Sequence, residues 1–114
     1  MVTFEDVRRT LEQLYAKASE ALPEIKGWDK VYQFSVVGLG DFYVEIKGGR
    51  VNVVQGKHPS PIATLSASAD VFEKIMSGQL DAMKAFLAGQ LKITGNVLDT
   101  MNLKRLIDAG LGKS

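Results

Sequence analysis

The chain has 114 residues, of which 46% are apolar, and this suits a single globular domain, residues 1–114, with its own hydrophobic core. A formal net charge of +1 gives no support for a nucleic-acid partner, and the absence of cysteine excludes disulfides, thiol catalysis and thiolate metal sites. No window resembles a signal peptide or a membrane-spanning segment, so we expect a reduced, cytoplasmic protein.

The first predicted element is an amphipathic helix that begins after Thr3. Thr3 and Asp6 have the spacing of a capping box, in which Asp stands in for the usual Glu or Gln. Pro23 predicts that the helix ends near Ala21 or Leu22, because proline restricts the residue before it. Apolar residues recur at helical spacing and predict one buried stripe: Phe4, Val7, Leu11, Leu14, Tyr15 and Ala18.

Beyond a loop around Gly27, the apolar residues change from helical spacing to the alternation of strands. The glycine pair Gly48-Gly49 predicts a tight hairpin turn, since such turns require the positive φ that glycine adopts. The pattern therefore predicts an antiparallel meander, apolar on one side, with strands at Val31–Val37, Phe42–Lys47 and Val51–Gln55.

The second half of the chain alternates short strands and short helices, with Ser68, Asp81 and Asn96 as the expected helix N-caps. The predicted elements are a strand Ile62–Ser66, a helix from Ser68 to Met76 or Ser77, a helix Ala82–Ala88, a strand Leu91–Thr94 and a helix to about Asp108. This order predicts an α+β fold with a five-stranded, mostly antiparallel sheet and helices packed on one face.

The segment 72–96 carries more flexible apolar surface than one amphipathic helix needs, and glycines divide it into short pieces. Methionine, leucine and phenylalanine dominate it, and this combination gives an adaptable surface. Such a surface can fill an ordinary core or line a space that an apolar molecule enters. Because close-packed interiors rarely contain voids, the residues taken alone favour plain core.

The sequence from Leu80 to Asn96 resembles the signature of the sterol carrier protein 2 family. The match is almost residue for residue at Phe86, Gly89, Leu91-Lys92-Ile93 and Gly95-Asn96. The predicted hairpin and the helix that follows Ser68 lie at the matching distances upstream, so the resemblance covers essentially the whole chain.

The resemblance implies a particular fold and binding site. In that family, a five-stranded sheet is covered on one side by helices, and an elongated apolar tunnel between them takes sterols, fatty acids, acyl-CoAs and other lipids. The same tunnel is implied here. Its implied ligand-binding residues are Met76, Met83, Phe86, Leu87, Ile93, Val97, Leu98 and Met101, with Phe34 and Val44 from the sheet.

The resemblance also implies a function: non-enzymatic binding and intracellular transfer of an apolar lipid, such as a fatty acid, a fatty acyl-CoA or a sterol-like molecule. The alternative is an accessory or dimerisation module that presents a lipid-like substrate to a partner enzyme. We expect no catalytic residue, cofactor or metal ion, and we leave open a homodimer and a transient membrane contact. The chain ends without the peroxisomal tripeptide of eukaryotic members, which argues against a peroxisomal location.

Two isolated residues keep other interpretations open. His58 is the only histidine, and no carboxylate lies near it in sequence, so a solvated loop is favoured over metal binding or acid–base chemistry. Trp28, between Lys26 and Lys30, suits either half-buried packing or contact with a membrane surface.

Overall fold

In a computed structural model, which describes residues 2–113, helices cover one face of a five-stranded sheet. A short 3₁₀ helix, Pro23–Gly27, occupies the loop expected around Gly27, because a proline in the first turn of a helix is well tolerated. The other elements are α1 Phe4–Ala21, β1 Lys30–Val37, β2 Gly40–Lys47, β3 Arg50–Gln55, β4 Ala63–Ser68, α2 Ala69–Met76, α3 Ala82–Leu87, β5 Lys92–Gly95 and α4 Thr100–Gly110.

The helix starts predicted from side-chain caps are confirmed for α1, α2 and α3. The Thr3 hydroxyl accepts a hydrogen bond from the Asp6 N–H at 3.2 Å, and the Asp6 carboxylate accepts one from the Thr3 N–H at 3.0 Å. Ser68 and Asp81 each accept a hydrogen bond from the backbone N–H three residues later. These contacts satisfy N–H groups that the first turn of a helix leaves without a partner.

The prediction that Asn96 caps the last helix is wrong, because α4 begins at Thr100. The Asn96 side chain does accept a hydrogen bond from the Asp99 N–H at 3.0 Å, but this bond closes a turn that precedes the helix. Hydrogen bonds between residues three apart hold that turn, such as the one from the Thr100 N–H to the Val97 carbonyl. The Asp99 side chain is meanwhile bound to β1, which fixes where the helix can start.

The five strands lie in the order β3-β2-β1-β4-β5. β1 and β4 run parallel, and the other neighbouring pairs run antiparallel. A parallel pair needs a long connection, and residues 38–62, which include the β2–β3 hairpin, supply it. The predicted α+β fold with a five-stranded, mostly antiparallel sheet is therefore confirmed.

The layer between the sheet and the helices is filled unevenly. Phe34 of β1 and Phe42 of β2 stack with their ring centroids 5.0 Å apart. Phe72 of α2 packs edge-on against both rings at 5.7 Å, and Phe4 of α1 packs edge-on against Phe42 at 6.0 Å. We call these four residues the aromatic cluster; it closes the layer beneath β1 and β2, whereas the layer beneath β4 and β5 is hollow.

Candidate functional site

The hollow part of the layer is a cavity of about 90 Å³ between the sheet and helices α2, α3 and α4. Its lining side chains are apolar except for Thr100 and Lys104. Val97 and Met101 line the cavity and are also 40% and 42% exposed, so the cavity reaches the surface beside the start of α4. A space lined in this way tends to stay free of water, because an ordered water needs several polar partners.

The sheet forms the floor of the cavity through residues that strand pairing places side by side. Phe34 of β1 lies opposite Leu65 of β4, and Leu65 lies opposite Ile93 of β5. Val36 and Ala67 form the next row of the same face, two residues further along their strands. Alternation along a strand puts all these side chains on the helix-facing side.

The helices supply flexible walls. Three of the chain's four methionines line the cavity: Met76 from α2, Met83 from α3 and Met101 from α4. Phe86 of α3 completes this side. An unbranched methionine side chain has three rotatable bonds and adapts to neighbours of different shape, so these walls can change form more easily than the aromatic cluster.

The two polar residues of the lining have their polar atoms engaged elsewhere. The Thr100 hydroxyl donates a hydrogen bond to the Val97 carbonyl. The Lys104 ammonium donates to Asp108 at 2.6 Å and pairs with Asp81, the N-cap of α3, at 3.2 Å. The hydrogen bond to Asp108 raises the pKa of Lys104, outweighing the effect of burial, and Asp81 adds to the increase. Lys104 therefore ties α4 to α3, and its ammonium is engaged by these two carboxylates.

A second polar contact holds the start of α4 against the sheet. Asp99 accepts a hydrogen bond from the Lys30 ammonium at 2.6 Å and one from the buried Tyr32 hydroxyl at 2.5 Å. Burial alone raises the pKa of the Asp99 carboxyl, but the bonds from Lys30 and Tyr32 together lower it below its usual value. Burial and then the bond to Asp99 raise the pKa of Tyr32. The contact fixes the turn that carries Val97 and so borders the cavity opening.

The structure brings most of the expected ligand-binding residues together. Seven line the cavity: Phe34, Met76, Met83, Phe86, Ile93, Val97 and Met101. The other three expected residues, Val44, Leu87 and Leu98, lie outside the lining. Val44 is buried on β2, which the strand order separates from the cavity by β1. Leu87 and Leu98 are 76% and 83% exposed, at the end of α3 and in the turn before α4.

Several lining residues were not expected from the sequence. Val36, Leu65 and Ala67 share the alternation that identified Phe34, so the strand period contained a signal for them. Leu103 and Ile107 lie on the face of α4 that turns to the cavity, which helical spacing from Thr100 indicates. Lys104 also follows Thr100 at helical spacing, but its ion pair with Asp81 joins segments that are distant in sequence and had no such signal.

His58 makes structural contacts in the loop between β3 and β4. Its backbone N–H donates to the buried Gln33 side chain at 2.9 Å, its Nδ1 accepts from the Ser60 N–H at 3.0 Å, and its ring packs edge-on against Tyr43. Within residues 2–113, no group of three or more His, Asp or Glu side chains is arranged to hold a metal ion.

Across the same part of the chain, every helix is too short or too polar to cross a bilayer.

Comparison of the sequence with known families gives a match over most of the chain. The sequence model described as the SCP-2 sterol transfer family matches residues 9–108. Hydroxysteroid dehydrogenase-like protein 2 from Bos taurus is 34% identical over 110 residues, which are 93% of this chain and 24% of that protein. The chain thus spans about a quarter of the length of this curated relative.

Solved structures share the fold. The sterol carrier protein domain 2 of Helicoverpa armigera superposes with a TM-score of 0.73 and 24% identity, over 93% of this chain and 88% of the other. Palmitated SCP2L2 from Aedes aegypti gives a TM-score of 0.66 and 20% identity, over 89% and 93% of the two chains. At these identities the likeness concerns the arrangement of helices and strands.

Proposed function

Because the chain belongs to the SCP-2 sterol transfer family, we propose that it binds one apolar lipid molecule in the cavity and transfers it inside the cell without chemical change. The proposed ligand is a fatty acid, a fatty acyl-CoA or a sterol-like molecule. The observation that carries the proposal is the almost entirely apolar lining of a cavity that opens to the surface. The palmitated state of the Aedes aegypti relative supports an acyl chain as one such ligand.

The size of the cavity determines how a ligand would enter. Its volume of about 90 Å³ is well below the roughly 300–1,000 Å³ of sites that enclose drug-sized molecules. A long acyl chain therefore requires the walls to move outward. The methionine side chains and the six-residue helix α3, which is followed by Gly89 with a φ of +78°, are the parts best able to do so.

The affinity would come from removing apolar ligand surface from water, at about 25 cal/mol per Å². Each methylene group that enters contributes about 0.8 kcal/mol on this scale. Because an apolar pocket distinguishes ligands by only about 1–3 kcal/mol per methylene, we expect a graded preference for chain length and no sharp limit.

We propose that the protein is not an enzyme and that it acts in the cytoplasm. Lys104 lines the cavity and its ammonium is held between two carboxylates, and His58 is engaged in loop contacts on the sheet. Fractionation of cells that produce the full chain tests the compartment, and an assay for turnover of bound lipid tests the absence of catalysis.

The cavity is tested by filling it. Met83→Trp places a large ring among the lining residues, and we expect it to weaken binding of cis-parinaric acid at least about tenfold, since the ring takes the space of the acyl chain. The matched control is Val54→Trp, which adds the same ring to a partly exposed position on β3, at the opposite edge of the sheet from β5. Circular dichroism checks that both variants fold.

Unchanged probe binding by folded Met83→Trp would contradict the proposal, because it would place the ligand elsewhere. Extraction of the purified wild-type protein followed by mass spectrometry of the lipid fraction identifies the ligand class without assuming one. Recovery of one lipid class in near-stoichiometric amount is the expected result.

A second candidate function has support in the length of the relative. Since the chain corresponds to only part of hydroxysteroid dehydrogenase-like protein 2, it can serve as an accessory or dimerisation module that presents a lipid-like substrate to an enzyme. Native mass spectrometry separates the two candidates. A monomer with bound lipid favours the carrier, whereas an empty, stable dimer favours the module.

A further inference from the structure

A second space lies on the side of α2 that faces α1. It is a cleft of about 400 Å³, larger than the cavity, and we call it the α1–α2 cleft. Val7 and Thr10 line it from α1, and Glu73 and Ser77 line it from α2. Because Glu73 and Ser77 are exposed, the cleft is open to solvent.

Two side chains of α2 stand between the cleft and the cavity. Phe72 and Met76 are four residues apart on one face of the helix, both are buried, and both line the cavity as well as the cleft. The ring of Phe72 is held by the rings of Phe34 and Phe42, each with its centroid 5.7 Å away. The unbranched side chain of Met76 adapts more easily. A movement of Met76 is therefore the simplest change that joins the two spaces.

The lining of the cleft differs in chemistry from that of the cavity. The cavity is almost entirely apolar, whereas the cleft presents two hydroxyls, an amide and two carboxylates, from Thr10, Ser77, Gln79, Asp70 and Glu73. All these groups accept hydrogen bonds, and the hydroxyls and the amide also donate them. A molecule with an apolar chain and a hydroxyl-rich end matches the two spaces in turn.

The charge of the cleft disfavours an anionic head group. Lys74 pairs with Asp70 at 3.2 Å, so these two charges largely balance. Glu73 forms no ion pair with another residue of the described part of the chain, 2–113. Two carboxylates against one ammonium leave the lining with a formal charge of −1. A carboxylate or phosphate placed there would be repelled, whereas an uncharged group would not.

We propose that the α1–α2 cleft binds the head group of a lipid whose acyl chain fills the cavity, and that this head group is an uncharged polyol, as in a monoacylglycerol. The polyol donates to the Glu73 carboxylate and exchanges hydrogen bonds with Thr10 and Gln79. Met76 moves aside so that the chain reaches the cavity. The volume of the cleft suits several hydroxyls, since a single one would leave most of the space to water.

This proposal adds a lipid class to the fatty acid, acyl-CoA and sterol-like molecules proposed as ligands, and it rests on the lipid-carrier function. Isothermal titration calorimetry of the full chain at neutral pH tests it with 1-lauroylglycerol and lauric acid, which carry the same acyl chain. Both are used below the concentrations at which they aggregate. We expect the wild type to bind 1-lauroylglycerol at least about fivefold more tightly, because only the polyol makes favourable contacts in the cleft.

Glu73→Lys tests the position of the head group. It changes the formal charge of the lining from −1 to +1, and we expect it to reduce the preference for 1-lauroylglycerol at least about threefold, because the lysine attracts the carboxylate of lauric acid. The matched control is Glu20→Lys, the same change at an exposed position of α1 outside both linings. We expect it to change the preference by less than about 1.5-fold.

Met76→Ala tests the passage between the two spaces. It opens the shared wall, and we expect it to raise the preference for 1-lauroylglycerol at least about twofold. Ile75→Ala is the control, because Ile75 lines the cavity but not the cleft, so its truncation should affect both lipids alike. Circular dichroism checks folding. If Met76→Ala does not fold, Met76→Ile keeps the volume but stiffens the side chain, and it should lower the preference.

Equal affinities of the wild type for the two lipids, or tighter binding of lauric acid, would overturn the proposal and leave the carrier function standing. A preference for 1-lauroylglycerol that Glu73→Lys does not change would also overturn it, because the head group would then lie outside the cleft. Tighter binding of dodecylamine than of 1-lauroylglycerol would assign the cleft to a cationic head group instead. If the wild type binds neither lipid nor cis-parinaric acid, the carrier function is wrong and this proposal fails with it.

Discussion

The two halves of the layer between sheet and helices are built from similar apolar patterns, but one half is closely packed and the other contains a cavity. Beneath β1 and β2, the aromatic cluster brings four rings into contact, with centroids 5.0–6.0 Å apart. Beneath β4 and β5, methionine, leucine and isoleucine surround a space of about 90 Å³. Phe34 and Phe72 belong to both halves, since they complete the cluster and line the cavity.

This difference indicates that the two halves have different roles, one in stability and the other in accommodating a change of shape. Aromatic rings have few rotatable bonds and bury a large area, so the packed half can hold the sheet and helices in place. Flexible side chains around a void lose some of their packing, and a protein tolerates that cost only where the rest of the fold is secure. The hollow half can therefore change shape while the packed half supplies most of the stability.

The largest expected effect is a direct contrast between the halves. Phe42→Ala should lower the free energy of unfolding by about 3–5 kcal/mol, because it removes a fully buried ring from the aromatic cluster. Met83→Ala should lower it by less than about 2 kcal/mol, since Met83 is partly exposed and already borders empty space. Urea unfolding followed by circular dichroism measures both; equal losses would show that the two halves are equally packed.

A smaller effect is expected where the hollow half is attached to the packed one, at Asp99. Asp99→Asn removes the charge that Lys30 and Tyr32 bind and should cost about 1.5–3 kcal/mol at pH 7. Because folding lowers the pKa of Asp99 below its usual 3.8, its charge stabilises the fold above that pH, and the stabilisation is lost as the pH falls through the folded-state pKa. The difference in the free energy of unfolding between wild type and Asp99→Asn should therefore become smaller below about pH 4.

Urea midpoints at pH 7 and pH 3 test this expectation. The control is Asp70→Asn, which alters an exposed ion pair with Lys74 on α2 and should change stability by less than about 1 kcal/mol at pH 7. If the difference in stability between wild type and Asp99→Asn is the same at pH 7 and pH 3, the charge of Asp99 is not what stabilises its contact with Lys30 and Tyr32.

The smallest expected effect is at the far end of α4, where the helix meets α1. A Cβ added at Gly110 would lie 2.5 Å from the Leu14 carbonyl oxygen, so Gly110→Ala forces two helix backbones apart. We expect a net loss of about 1–2 kcal/mol, since the clash outweighs the better helix propensity of alanine. Gly27→Ala is the control, because nothing lies within 4 Å of a Cβ there. A Gly110→Ala variant as stable as wild type in thermal unfolding would show that this contact is loose.

Local features of the fold could be predicted because their causes lie within a few residues. The caps at Thr3, Ser68 and Asp81 each bind an N–H three residues away, and the alternation of Phe34 and Phe42 with polar neighbours marks one face of each strand. The family resemblance at segment 86–96 pointed to an apolar site, and the helix and strand order was sufficient for the fold class.

Whether an apolar side chain meets a neighbour, a void or solvent was decided by the tertiary structure. Val44 and Phe34 have the same strand pattern, but the strand order gives only Phe34 a place at the cavity. Leu98 is as apolar as Val97 before it but is exposed and outside the lining, in a turn that the contact of Asp99 with Lys30, 69 residues away, holds in place. Caps and alternation depend on bonds between near neighbours, whereas the cavity and its opening depend on contacts between distant segments, which only the folded chain brings together.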